Sequence, residues 1–134
     1  MSDAPVLLDT NVASFLFSVR PQAALYHRDL HGRRMAVSFQ TAAELLFGAD
    51  VKDWGRTKRR ALSAFLATLK VLHSDADLVQ TCAHLRAALS KQGLVVASED
   101  TWIAATALRH DLTLVAHDAV FRQIAGLKLV CHAP

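Results

Sequence analysis

Val6-Leu7-Leu8-Asp9-Thr10-Asn11 is a short apolar run that stops at a carboxylate and two further polar side chains. A run of this length with a polar end fits a strand covered on both faces, as in a parallel sheet, although a buried helical segment shows the same pattern. In an open parallel sheet, ligands bind just beyond the carboxyl ends of the strands, which is where Asp9 would sit. Fold and function therefore both turn on two questions. Do other strands end the same way, and do other carboxylates reach the same edge?

Outward from this stretch, Val12, Phe15, Leu16 and Val19 recur at helical spacing and stop before Pro21, whose ring disfavours helix in the residue before it. A second helical stretch covers residues 21–30, with Pro21 in its first turn and Gly32 closing it. Met35-Ala36-Val37 reads as a second strand. Ser38 follows as the N-cap of a helix through Phe47, with Gly48 as its stop. Residues 53–70 form the clearest amphipathic helix, with Leu62, Phe65, Leu66 and Leu69 in one stripe. Val71-Leu72 is a weak third strand. Asp75 caps a helix carrying Leu78, Cys82, Leu85 and Leu89 that ends at Gly93, and Leu94-Val95-Val96 is extended or loop. Asp100 then opens a helix through Arg109. Thr113 to Ala116 forms a strand ending at His117-Asp118, and residues 128–130 form the last strand. Strands alternating with helices predict an α/β fold around a parallel sheet of four or five strands.

The 134 residues carry no linker, repeat or low-complexity segment, so a single domain over residues 1–134 is expected. Half the residues are hydrophobic (52%), yet no apolar run approaches the roughly 18 residues of a membrane span. Met1-Ser2-Asp3-Ala4-Pro5 lacks the basic segment and apolar core of a signal peptide, which points to a soluble cytoplasmic protein with no membrane partner. Cys82 and Cys131 sit in apolar contexts without metal-ligand spacing and read as buried reduced thiols. The net charge of +3 mildly favours a polyanionic partner.

Four acids are candidates for one edge. Asp9 and Asp118 each end an apolar strand, although an Asx-turn residue leaving a strand is the plain alternative for either. Glu44 lies on the helix after the second strand, where Thr41-x-x-Glu44 also matches a capping box. Asp100 precedes an apolar helical run, which is ordinary N-cap chemistry. If the four converge, they repel, and they stay ionised near neutral pH only when a cation neutralises them. Oxygen donors without His or Cys favour Mg²⁺ or Mn²⁺ over zinc. Such an ion can orient a phosphodiester, activate a water and stabilise the leaving oxygen, so phosphodiester hydrolysis is the natural chemistry.

The blocks Leu7-Leu8-Asp9-Thr10-Asn11, Ser38-x-x-Thr41-x-x-Glu44-Leu45-x-x-Gly48, Asp100-x-x-Ile103-Ala104-Ala105-x-Ala107 and Leu114-Val115-x-x-Asp118-x-x-Phe121 together resemble the successive motifs of PIN-domain ribonucleases, in particular the VapC-type toxins of bacterial toxin–antitoxin pairs. The resemblance spans essentially the whole chain. It implies a three-layer α/β/α sandwich, Mg²⁺- or Mn²⁺-dependent endonucleolytic cleavage of RNA, a homodimer, and inhibition by a cognate VapB-like antitoxin. It carries the catalytic and metal-binding roles onto Asp9, Glu44, Asp100 and Asp118, with Asn11 as the polar residue after the first acid and Thr10 holding the Asp9 loop. It also implies that an antitoxin segment covers a groove between the 12–19 and 38–47 helices, with Phe15, Leu16, Leu45, Leu46 and Phe47 as apolar anchors. This chain departs from the family's pattern before the third acid, where Ser98-Glu99 adds a fifth carboxylate. The fourth acid varies in the family, which leaves Asp118 the least secure ligand.

Arg56, Lys58, Arg59 and Arg60 are a basic cluster that either faces solvent or contacts RNA, and His117 either touches a substrate phosphate or is an ordinary strand-end residue. Trp54 and Trp102 either stack on bases or belong to core or interface. Two other functions compete. A phosphatase of the haloacid-dehalogenase type would use Asp9 as nucleophile, but it needs a general acid two residues on, and Asn11 cannot exchange a proton there. A degenerate PIN scaffold acting only as a binding or regulatory module would not need all four acids. A dinucleotide fold is disfavoured because no G-x-G-x-x-G follows the first strand.

Overall fold

The computed structural model describes residues 4–134; residues 1–3, on which part of the signal-peptide reading falls, lie outside the described residues. Five strands, β1 (Val6–Leu8), β2 (Met35–Ser38), β3 (Lys70–Leu72), β4 (Leu114–Ala116) and β5 (Leu129–Cys131), form one sheet in the order β3-β2-β1-β4-β5. Every pairing is parallel, with Leu7 opposite Ala36 on one side and Leu114 on the other. Successive β1 side chains point to opposite faces, as the strand period requires. Leu7 packs with Leu78, Cys82, Leu85 and Ile103, from α5 (Ala76–Lys91) and α6 (Ser98–His110). Val6 and Leu8 pack with Val12, Leu45 and Leu62, from α1 (Thr10–Phe17), α3 (Phe39–Val51) and α4 (Arg56–Ala67). Helices on both faces of a buried parallel sheet make the expected three-layer sandwich.

The strand order also locates the crevice. The chain leaves β1 through α1 on one face and leaves β4 through a 3₁₀ turn (Ala119–Gln123) whose Phe121 packs on the other. Neighbouring strands whose connections part in this way open a cleft at their carboxyl ends, and here those ends carry Asp9 and Asp118.

Several element boundaries differ from expectation. Gly48 does not stop its helix: α3 continues to Val51, and the turn follows at Lys52 to Gly55, where Asp53 takes the left-handed conformation (φ 51°) that usually falls to glycine. The expected 53–70 helix is shortened for the same reason to Arg56–Ala67. Val19, counted in the first helical stripe, lies beyond α1 with φ 50° and is 85% exposed. The 21–30 stretch begins as a 3₁₀ helix (Pro21–Tyr26) and ends as the four-residue α2 (His27–Leu30). Leu94-Val95-Val96 is loop, and the last strand sits one residue later than the apolar pattern placed it. Cys82 is buried and free as expected, whereas Cys131, also free, is only half-buried because β5 is an edge strand.

Candidate active site

Asp9 is the pivot of the site. It is the N-cap of α1, 2% exposed, and each oxygen of its carboxylate accepts a backbone N–H: Val12 at 2.8 Å and His117, beyond the end of β4, at 3.1 Å. Its own N–H donates to the Val115 carbonyl at 3.0 Å. The Asx-turn alternative is thus true of its local geometry, but half of its hydrogen bonding reaches across to the neighbouring strand. Burial pushes the Asp9 carboxyl up to about 6; the Val12 and His117 amides pull it down, and the charges of Asp100 and Asp118 add to the rise.

Glu44 is not a capping-box residue. The cap of α3 is Ser38, whose hydroxyl accepts from the Thr41 N–H at 3.1 Å, so Thr41 already lies within the first turn. The hydroxyls of Ser38, Thr41 and Thr10 form a file in which Thr10 and Thr41 are 3.0 Å apart and Thr10 donates to the Glu44 carboxylate. Thr10 therefore holds the second acid, where the resemblance had it holding the Asp9 loop. The Asn11 amide donates to the His117 carbonyl at 3.2 Å, which ties α1 to the end of β4; a carboxamide is not acidic enough to serve as the general acid of the phosphatase kind.

The cap of α6 is Ala97, so Asp100 is no N-cap; it stands inside the first turn beside Glu99, where the positive end of the helix dipole favours carboxylates. Among the described residues no donor lies within hydrogen-bond reach of its carboxylate. Burial pushes Asp100 up to about 6, and Asp118, Glu44 and Glu99 each add to the rise. Asp118 is half-buried and caps the 3₁₀ turn by accepting from the Val120 N–H at 2.9 Å. Phe39 and Trp102 meet edge to face at 5.4 Å and fix the start of α3 against α6, which is the structural role Trp102 turns out to have. Glu99, the additional carboxylate, lines a cavity of about 280 Å³ with Gln40, Ala43, Glu44 and Phe47.

The charges of Asp100 and Asp118 thus reach Asp9, and those of Asp118 and Glu44 reach Asp100, and the four acids offer only hard oxygen donors, which suits Mg²⁺ or Mn²⁺ in chemistry. They are not a closed ligand cage: among the described residues, no three of His, Cys, Asp and Glu stand close enough together to hold an ion as they are.

The basic residues lie elsewhere. Arg59 is spent on Asp50 at 2.6 Å and on the Trp54 and Ala49 carbonyls, at the end of α3 remote from Ser38. Arg56 and Arg60 are exposed beside it. Trp54 stacks on Phe17, at the end of α1 remote from Thr10, with the Lys58 ammonium 4.1 Å from its ring centroid. His117 is at the site, but its ring is engaged by Tyr26 and by the edge of Phe15. Tyr26 itself carried no signal in the sequence, because a single tyrosine in an irregular helical stretch matches no motif.

A family model described as PIN domain matches residues 6–127 of the chain. Among curated proteins, the chain is 30% identical to Ribonuclease VapC2 of Haemophilus influenzae, covering 91% of this chain and 93% of that protein. It is 28% identical to the tRNA(fMet)-specific endonuclease VapC of Shigella flexneri over the same shares. Among solved structures, VapBC-1 from nontypeable Haemophilus influenzae superposes with a TM-score of 0.82 at 27% identity, covering 96% of this chain and 98% of that one.

Proposed function

The chain belongs to the PIN-domain family as a VapC-type member, and from that premise we propose that Asp9, Glu44, Asp100 and Asp118 hold a divalent cation at which RNA phosphodiesters are hydrolysed. The protein is the ribonuclease toxin of a VapBC toxin–antitoxin pair. The observation that supports the site assignment is the electrostatic link among these acids: burial and the charges of Asp100 and Asp118 raise Asp9 to about 6, and burial and the charges of Asp118, Glu44 and Glu99 raise Asp100 to about 6. Carboxylates left in that condition gain from any cation placed among them.

When bound, Mg²⁺ or Mn²⁺ supplies positive charge to the phosphodiester and lowers the pKa of a water nucleophile. The rest falls to the chain. Asp9 is held rigid by its two amide donors, and Glu44 by Thr10, so two of the acids are oriented before any ion arrives. Asp100, with no such partner, is the acid with freedom to close on an ion. Asp118, bonded through one oxygen to Val120, keeps the other to offer. The basic cluster at the start of α4 is remote from these acids, and its exposed Arg56 and Arg60 serve at most as phosphate contacts for a long substrate. The same reading takes the protein to act in the cytoplasm as a homodimer restrained by a VapB-like antitoxin; no helix among the described residues is long and apolar enough to cross a membrane.

The test uses toxin freed of antitoxin, incubated with bulk tRNA and total RNA. Cleavage is expected with Mg²⁺ or Mn²⁺ and not with EDTA. Asp100→Asn is expected to slow it by at least about a hundredfold, the scale of losing one charge interaction with the transition state. Cleavage that persists in EDTA, or an Asp100→Asn protein of wild-type rate, overturns the mechanism.

A further inference from the structure

Tyr26 is the only tyrosine in the sequence, and its side chain is fully buried at the end of the 3₁₀ helix. Its hydroxyl meets three groups: the Ala116 carbonyl at 2.8 Å, the His117 ring Nδ1 at 2.6 Å and the His132 backbone N–H at 3.1 Å. A phenol has one proton to give and two lone pairs. The Ala116 carbonyl can only accept and the His132 amide can only donate, so the phenol proton goes to Ala116. His117 must then donate from a protonated Nδ1. The three contacts close without an unmatched group only in this arrangement, which fixes the His117 tautomer.

Ala116 C=O and His117 N–H are the two ends of one peptide group. Tyr26 donates to its carbonyl while its N–H donates to the Asp9 carboxylate. A peptide hydrogen-bonded at its oxygen is polarised and becomes a better donor at its nitrogen. The His132 end is secured in turn, because the imidazole of His132 meets Asp29 at 2.9 Å and Arg122 donates to the Cys131 and Ala133 carbonyls. We propose that Tyr26 is a positioning residue for Asp9, acting through the Ala116–His117 peptide, and that the C-terminal segment around His132 holds Tyr26 in place. The proposal rests on Asp9 being a site acid, but its geometry exists without metal or substrate.

Tyr26→Phe keeps the ring and removes the hydroxyl. In the metal-free protein, NMR is expected to show His117 leaving the Nδ1–H tautomer and its backbone amide exchanging faster, while core amides of α5 and α6 keep their protection. Mn²⁺ binding, followed by titration calorimetry, is expected to weaken by about tenfold, the usual scale for partners that orient a ligand. Cleavage of bulk tRNA should lose kcat with KM unchanged. Unchanged exchange at the His117 amide, or loss of protection spread evenly over the sheet, overturns the proposal. If wild-type protein cleaves no RNA, the functional reading fails while the tautomer and exchange data still decide this one. Should Tyr26→Phe not fold, labelling with 3-fluorotyrosine alters this hydroxyl alone and strengthens its donation; the His117 amide proton should then move downfield, and an unmoved resonance overturns the inference.

Discussion

Asp9 and Asp100 have similarly raised pKa values and opposite surroundings, so the same substitution should act on them differently. With folded values of about 6 against 3.8 unfolded, both hold their protons more tightly in the folded state. The sign follows: below about pH 4 both states are protonated, and as pH rises through 4 to 6 the unfolded chain ionises first. Metal-free protein should therefore lose stability across that window and level off above it, by on the order of 2–3 kcal/mol for Asp9 and less for the more exposed Asp100. Added Mn²⁺ should restore it, with a thermal shift near zero at pH 5 and large at pH 7.5, because protons and cation compete for the same oxygens. Calorimetric melts at both pH values check this; a shift independent of pH would mean the ion binds elsewhere. Asp100→Asn removes a repelled charge that has no protein donor, and it should raise the metal-free melting temperature at pH 7.5 by several degrees. Asp9→Asn should gain little, since an amide offers one acceptor oxygen where Val12 and His117 need two. Both should abolish the Mn²⁺ shift. The two strand-end acids of the candidate site, Asp9 and Asp118, were legible because an acid after an apolar strand is a pattern. The peptide that Tyr26 and Asp9 share was not legible, because its partners lie 90 and 108 positions apart.

Where elements differ from their sequence signals, tertiary context has claimed a residue that a local rule would place otherwise. Thr41-x-x-Glu44 satisfies the capping-box spacing, but Ser38 three residues earlier takes the cap and releases Glu44 to the site. Asp100 suits an N-cap in type, yet Ala97 holds that position and Asp100 faces its fellow acids. Gly48 looks like a helix stop, but α3 packs Ala49 into the core one residue later, and that burial carries the helix to Val51. Strand and helix order survived these errors because it depends on hydrophobic periodicity, which many residues share, whereas a boundary depends on one. A prediction follows for α3. Gly48 sits in a helix interior, and a Cβ there would meet nothing within 4 Å. Gly48→Ala should therefore stabilise the protein by about 0.5–1 kcal/mol, the helix-propensity difference, with RNA cleavage unchanged. Urea denaturation measures it, and a loss of stability would show that α3 needs its glycine for a contact outside this monomer fold.

At the scale of the whole molecule, one face of α3 is out of place on a monomer. Leu46, Phe47 and Val51 are 50%, 67% and 65% exposed on a helix whose second turn carries Glu44. The apolar anchors expected between α1 and α3 sort themselves accordingly: Leu45 belongs to the core, Phe15 and Leu16 are half-buried, and Leu46 and Phe47 remain free to meet a partner. A surface that is apolar along the helix and acidic at its site end, where Glu44 and Glu99 line the same cavity, suits an amphipathic segment bearing a basic residue. That is the chemistry expected of the antitoxin. The double variant Leu46→Ser with Val51→Ser leaves the acids and the cavity intact, so free toxin should cleave RNA at the wild-type rate. Inhibition by antitoxin should weaken at least tenfold, which corresponds to about 1.4 kcal/mol, a modest loss for two apolar anchors. Titrating the antitoxin into a cleavage assay reads both quantities at once. Inhibition as tight as wild type would move the docking surface off α3, and excess Mn²⁺ should relieve inhibition only if the basic residue and the ion share the carboxylates.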